Sequence, residues 1–344
     1  MRNRTLDMVK AICAYAVVLL HVHFPGNAGI IANVLARFAV PVFFMVSGYF
    51  CFRGDDTEFI RTGKKIRHVL KLMLVAFPVC CLWELIQNHI DGASQKEWLE
   101  ALISGEHIRQ FLLYNNSSQV KWHLWFLPAL LYCYLLFALA ARFRICKQVY
   151  VLIPVLILIH FGMEEFSTFL FPEKHFRVMQ FRNYLFTGFP FFMWGHLIHR
   201  YQEKLEACFA GKKVFLLYGM AAVGGIISLL EYRYFGKLEL FLGSVLMAVG
   251  LFLIAIMGKD RKVPELPAAI GQKYAFFIYL FHLCVADILK DVAVAAGIEK
   301  NLLYLWMRPV MVCVLVTAVA VMYGYGMRIC REYKSLWYFH IYAL

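Results

Sequence analysis

Met8-Val-Lys10-Ala-Ile-Cys-Ala-Tyr-Ala-Val-Val-Leu-Leu-His21-Val-His23-Phe24 is apolar along its whole length except at Lys10, Tyr15, His21 and His23. About 20 such residues are what a helix needs to cross a bilayer. Similar blocks recur near residues 31–51, 69–86, 122–140, 148–162, 184–198, 214–230, 239–257, 274–290 and 304–326. The pattern predicts an all-α, polytopic membrane bundle of ten spans over residues 1–344, one membrane-embedded domain with no appended soluble domain. The chain is 62% hydrophobic and only 17% charged, whereas soluble domains carry about 25% charge. Alternating patterns of the kind a membrane barrel needs are not apparent.

Counting Lys and Arg in alternate loops gives 22 on the side of the N-terminus and 10 on the other. The bias predicts that both termini are cytoplasmic. The formal charge of +13 is therefore read as topology and as contact with anionic headgroups of the lipid bilayer, with no nucleic-acid partner. The opening Met-Arg-Asn-Arg imitates a signal peptide, but Lys10 and His21 interrupt the run and no small-residue cleavage site follows. The ten cysteines have no metal-ligand spacing and no metal site is expected. Trp98, Leu99, Leu102 and Ile103 recur at helical spacing in the longest outer loop and predict a short surface helix. Asn115 and Asn116 stand in glycosylation-type sequons.

Lys10 and His21 carry the strongest chemical signal. Eleven steps of about 100° leave them about 20° apart around the helix and about 16 Å apart along it. An ionisable side chain in a span is costly and faces a protein interior or a polar cavity. A histidine there can remove a proton from a hydroxyl, or it can simply hold helices together by a hydrogen bond. His23 lies about 160° from His21 near the lipid boundary and serves as its contrast. In the second span Arg37 reads as a clamp for a carbonyl, a phosphate or an anionic acceptor group, or as half of an internal ion pair. In the loop that follows, Arg61, Lys64, Lys65 and Arg67 can hold the phosphates of a nucleotide-bearing donor, or act as a topological anchor.

Lys10 with His21, Arg37-x-x-Val-Pro-x-Phe-Phe-x-x-Ser-Gly-Tyr, Lys64-x-x-Arg67 and Tyr279-Leu-Phe-His282 together resemble the acyltransferase family 3 membrane proteins. Trp122-His123-Leu-Trp125-Phe-Leu-Pro-Ala and Arg182-Asn183 resemble most the membrane half of the vancomycin-resistance serine racemases, whose racemase half is absent here. The resemblance implies a multi-pass enzyme of a bacterial plasma membrane, an O-acyltransferase. It implies transfer of an acyl group, commonly acetyl from acetyl-CoA or another acyl-CoA as co-substrate, with no tightly bound cofactor. The acceptor implied is a hydroxyl of an envelope glycan or a related small molecule. His21 would be the catalytic base, with Lys10 and Arg37 beside it in the motif and Lys64, Lys65 and Arg67 toward the donor. Trp122, His123, Trp125, Arg182, Tyr279 and His282 would serve the substrate. A permease for a small amino acid such as serine is the alternative. It requires a polar midplane site and broken helices, for which Pro78, Pro128, Pro154, Pro190 and Pro309 are candidates.

Overall fold

The computed structural model describes residues 3–54, 57–258 and 262–342, with side chains described throughout except at 212 and 329–342. Arg2, Lys259 and Arg261, which enter the charge count, lie outside the described residues. So do the side chains of Arg331 and Lys334. Among the described residues there are helices and no strands. In chain order the principal helices are α1 (Arg4–His21), α2 (Gly26–Ala36), α3 (Ala39–Tyr49), α4 (Glu58–Ile90), α5 (Gln95–Leu102), α6 (Gly105–Tyr114) and α7 (Phe126–Arg142). They continue with α8 (Leu152–Met163), α9 (Phe189–Arg200), α10 (Val214–Phe235), α11 (Leu242–Met257), α12 (Glu265–Lys273), α13 (Ala275–Ala295) and α14 (Leu302–Tyr342).

Among the described residues six segments are long and apolar enough to cross a membrane by length and composition: Gly26–Tyr49, Glu58–Ile90, Trp122–Arg142, Cys146–Met163, Val214–Phe235 and Leu302–Arg328. The other four expected spans are helical as well. Of these, α1 and α13 carry several charges, and α9 and α11 are short. The expected surface helix is α5, capped by the Ser94 hydroxyl, which accepts from Glu97 N.

Proline chemistry explains where the helices start and break. Pro128, Pro154 and Pro190 occupy first turns, where no intrahelical N–H bond is lost. Helices α4 and α14 run on through Pro78 and Pro309. Pro41 acts differently. It has no N–H to give the carbonyl of Arg37, and its ring crowds that carbonyl. The chain turns at Arg37 and Phe38, and the expected second span is split into α2 and α3.

The described chain forms two compact units, one of residues Met1–Ala36 with Gly258–Leu344 and one of Arg37–Met257. In the first, α1 is surrounded by α2, α12, α13 and α14. Asn3 caps it by accepting from Leu6 N at 2.9 Å, and the chain turns extended at Val22. Tyr15 is 2.9 Å from the Thr317 hydroxyl. That hydroxyl donates to the Cys313 carbonyl at 2.7 Å, so the phenol is the donor of the pair. In the second unit α3 packs on α9 and α10 on α11. The α3–α9 contact is reciprocal: a side chain at Gly48 would overlap the Phe192 carbonyl, and one at Gly195 would overlap the Met45 carbonyl. This close approach is the reason for glycine in the Ser47-Gly48-Tyr49 motif.

Candidate functional site

In the first unit His21 ends α1 and its ring centre lies 5.3 Å from that of His282, tilted by 38°. His282 is fully buried on α13. Its Nδ1 is 3.1 Å from the Ile278 carbonyl and 2.8 Å from the Tyr279 carbonyl. Carbonyls only accept, so Nδ1 carries the proton and the neutral ring keeps its lone pair on Nε2. Tyr279, buried one turn earlier, supplies one of those carbonyls. Lys10 does not reach His21, because the two lie about 16 Å apart along one helix. Its ammonium instead pairs with Asp7 at 3.2 Å. His23 is exposed, and its Nε2 is 3.0 Å from the Asn33 amide and 3.1 Å from the Leu20 carbonyl. Asn33 also donates to Leu20 O at 3.2 Å. His23 therefore belongs to the hydrogen-bonded end of α1.

In the second unit the end that the charge count assigns to the outside holds a cluster of charged and aromatic side chains. Arg37, placed at the break made by Pro41, donates through Nη1 to Glu239 Oε2 at 2.7 Å. Arg182 donates to the same oxygen at 3.1 Å. The Arg182 guanidinium also lies 5.9 Å from the ring centre of Trp122 and 5.5 Å from that of Trp125, within reach of a cation–π attraction. Trp122 is 57% exposed, while His123 and Trp125 are buried in the same single turn of 3-10 helix. Burial alone raises the Glu239 carboxyl, but Arg37 and Arg182 overcome it and hold the group down at about 2. The two guanidiniums thus favour the ionised form of Glu239.

The backbone around this cluster is pinned. The Asn183 side chain accepts from Leu185 N and Phe186 N at 2.9 and 3.1 Å and donates to Gln180 O at 2.8 Å. It thereby caps a π-turn over Tyr184–Gly188 and fixes the residue next to Arg182. Asn115, buried with φ +60°, accepts from Tyr184 N at 3.1 Å. Its sequon is thus committed to structure. Glu164 accepts from Glu239 N at 2.5 Å and Leu240 N at 3.2 Å, and is 3.0 Å from His160 Nε2.

Toward the opposite end of the second unit, Lys64 and Arg67 are exposed on α4. Lys65 turns inward. Its Nζ donates to the Phe50 carbonyl at 2.7 Å and lies 3.4 Å from Cys51 Sγ and 5.7 Å from the Tyr134 ring centre. The run of cations expected to act together is divided between a surface pair and an internal fastening.

Glu239 and Glu164 are the members of the arginine cluster that the sequence motifs do not mark. A signal for Glu239 existed: a guanidinium in an apolar segment requires a counter-ion. Each acidic residue of the short outer loops was a candidate. Among the described residues no group of three or more metal-ligating side chains occurs.

No curated protein and no solved structure matches the sequence significantly. The model of acyltransferase family 3, described as an acyltransferase domain, matches residues 3–325. With nearly the whole chain inside that match, including α1 with His21 and the cluster of Arg37, Glu239 and Arg182, this protein belongs to the acyltransferase family 3 membrane proteins.

Proposed function

We propose that this membrane acyltransferase moves an acyl group, commonly acetyl, from an acyl-CoA to a hydroxyl of a cell-envelope glycan or a related small acceptor in a bacterial plasma membrane. The observation that carries the reading is the placement of His21 against a buried His282 of fixed tautomer. In the reaction, a ring nitrogen of His21 takes the proton of the acceptor hydroxyl and the oxygen attacks the thioester carbonyl. The carbon–sulfur bond breaks, and the departing thiolate takes the proton back from the imidazolium. His282 orients the His21 ring. The Lys10–Asp7 pair sits near the cytoplasmic end of α1 as a neutral unit. Lys64 and Arg67 meet the donor phosphates from the cytoplasm. Within the second unit Trp122, Trp125 and Arg182 offer a surface for the sugar of an acceptor, and Lys65 fastens α4 to the loop before it.

The test supplies isotope-labelled acetyl-CoA to membranes with an accessible inner face and follows label into envelope glycans. Label appears with the native protein and is absent with His21→Ala. A second expected result separates binding from turnover. Replacing Lys64 and Arg67 together by Ala raises the KM for the donor about tenfold and leaves kcat at saturating donor nearly unchanged, because phosphate contacts are equal in the ground and transition states. Unchanged donor affinity would reduce the pair to a topological anchor.

One feature favours a permease as the second reading. The candidate span Gly26–Tyr49 is interrupted at Arg37 and Phe38, and transporters bind substrates at such breaks. Uptake of labelled serine by cells carrying the protein, without any acyl transfer, would select that reading.

A further inference from the structure

Arg182 has donors that no described residue uses. Of the five N–H groups of its guanidinium, only those of Nη1 meet an acceptor among the described residues, Glu239 Oε2. Nε is buried with no hydrogen-bond partner. The side chain as a whole keeps 19% of its exposure. Arg37 and Arg182 share a single carboxylate oxygen of Glu239. The second carboxylate of the cluster, Glu164, is engaged by the Glu239 and Leu240 amides and by His160. A planar guanidinium with unused donors matches the paired oxygens of a carboxylate or a phosphate. Beside it the exposed Trp122 offers a flat apolar face of the kind that receives a sugar ring.

We propose that the ligand of this cluster is an acidic sugar or polyol, in which a carboxylate or phosphate binds Arg182 and the ring lies on Trp122. The inference deepens the acceptor assignment above and rests on it, since it names the chemical class of the acceptor. Arg182 here is a specificity residue: it selects acidic acceptors over neutral ones and takes no part in the proton transfer.

The experiment uses the full chain in nanodiscs of phosphatidylcholine. Tryptophan emission and thermal midpoint are followed during titration with methyl glucuronide, glycerol phosphate and methyl glucoside. The two anionic probes separate a carboxylate source from a phosphate source, and the glucoside is the neutral control. At least one anionic probe binds about tenfold or more tightly than the glucoside, as expected for charge-assisted hydrogen bonds. Arg182→Gln removes that preference while retaining glucoside binding, which shows that the variant is folded. Arg182→Lys restores only part of it, because an ammonium lacks the planar fork. Equal binding of acidic and neutral probes overturns the proposal, as does a preference that survives Arg182→Gln. If phosphatidylglycerol added to the nanodiscs abolishes probe binding, the anion is a lipid headgroup and the acceptor assignment falls. Labelled acetyl-CoA keeps the two readings apart. Transfer to neutral acceptors that is indifferent to Arg182 leaves acyl transfer standing without an acidic acceptor. Charge-selective binding without any transfer leaves the anion site standing without the reaction.

Discussion

His21→Ala lowers acyl transfer about 10² to 10⁴-fold, the usual loss when a general base is removed, while His23→Ala leaves the rate within about threefold of native. The two histidines lie two residues apart in sequence, so differences in expression or insertion do not readily mimic the contrast. Their surroundings separate them. His21 stands against His282, whereas His23 is exposed and shares hydrogen bonds with Asn33 and the Leu20 carbonyl. Initial rates in membranes, normalised to protein inserted, give the comparison. The native rate also falls on the acid side, because the imidazolium has no lone pair with which to accept the hydroxyl proton. Near-native transfer by His21→Ala would remove the base from the mechanism. A matching loss in both variants would point to damage at the end of α1.

Glu239→Gln carries the second large effect, on stability. It takes from Arg37 and Arg182 the carboxylate oxygen that they share. Breaking a buried ion pair from one side costs about 3 to 5 kcal/mol, and partial exposure of Glu239 and Arg182 puts the expected loss near about 3 kcal/mol. The midpoint of thermal or denaturant unfolding in detergent measures it. Removing one cation as well, in Arg182→Gln with Glu239→Gln, recovers part of the loss, and a double-mutant cycle gives the coupling. The same interaction sets a pH dependence. Because the folded pKa of Glu239 lies below its unfolded value, its contribution is present above the ordinary carboxylate range and is lost as the pH falls toward about 2. Loss of stability under 1 kcal/mol in Glu239→Gln would show that the arginines find other partners.

The helical membrane class was legible because apolar runs such as Met8 to Phe24 leave few alternatives in a bilayer. Hydropathy marks where a helix is greasy, not where it ends. Helix α4 starts at Glu58 and not near residue 69, since its polar first turns are helical too. The break at Arg37 was written in the sequence as Pro41, four residues on, but apolar continuity through Val40 to Met45 hid it. Helical phase separates Lys65 from Lys64 by about 100° and from Arg67 by about 200°, so the division of that basic run was available from spacing alone. Glu239 was the hardest to see. At the start of the expected span 239–257, after Gly236-Lys237-Leu238, it looks like an ordinary carboxylate at a span boundary, and only the three-dimensional return of a segment 202 residues distant brings it to Arg37.

The oxygen shared by Arg37 and Arg182 also constrains how the sequence can drift. With Glu239 gone, either arginine alone loses the carboxylate it is bound to, and both together repel. Substitution at any one of the three positions is therefore filtered by the state of the other two. The tolerated path replaces an arginine first, which leaves one ordinary ion pair, and only then the glutamate. Lineages should accordingly hold all three residues, or Glu239 with one arginine, or none of the three, and a lineage with both arginines and a neutral residue at 239 should be rare unless a carboxylate has arisen elsewhere to meet them.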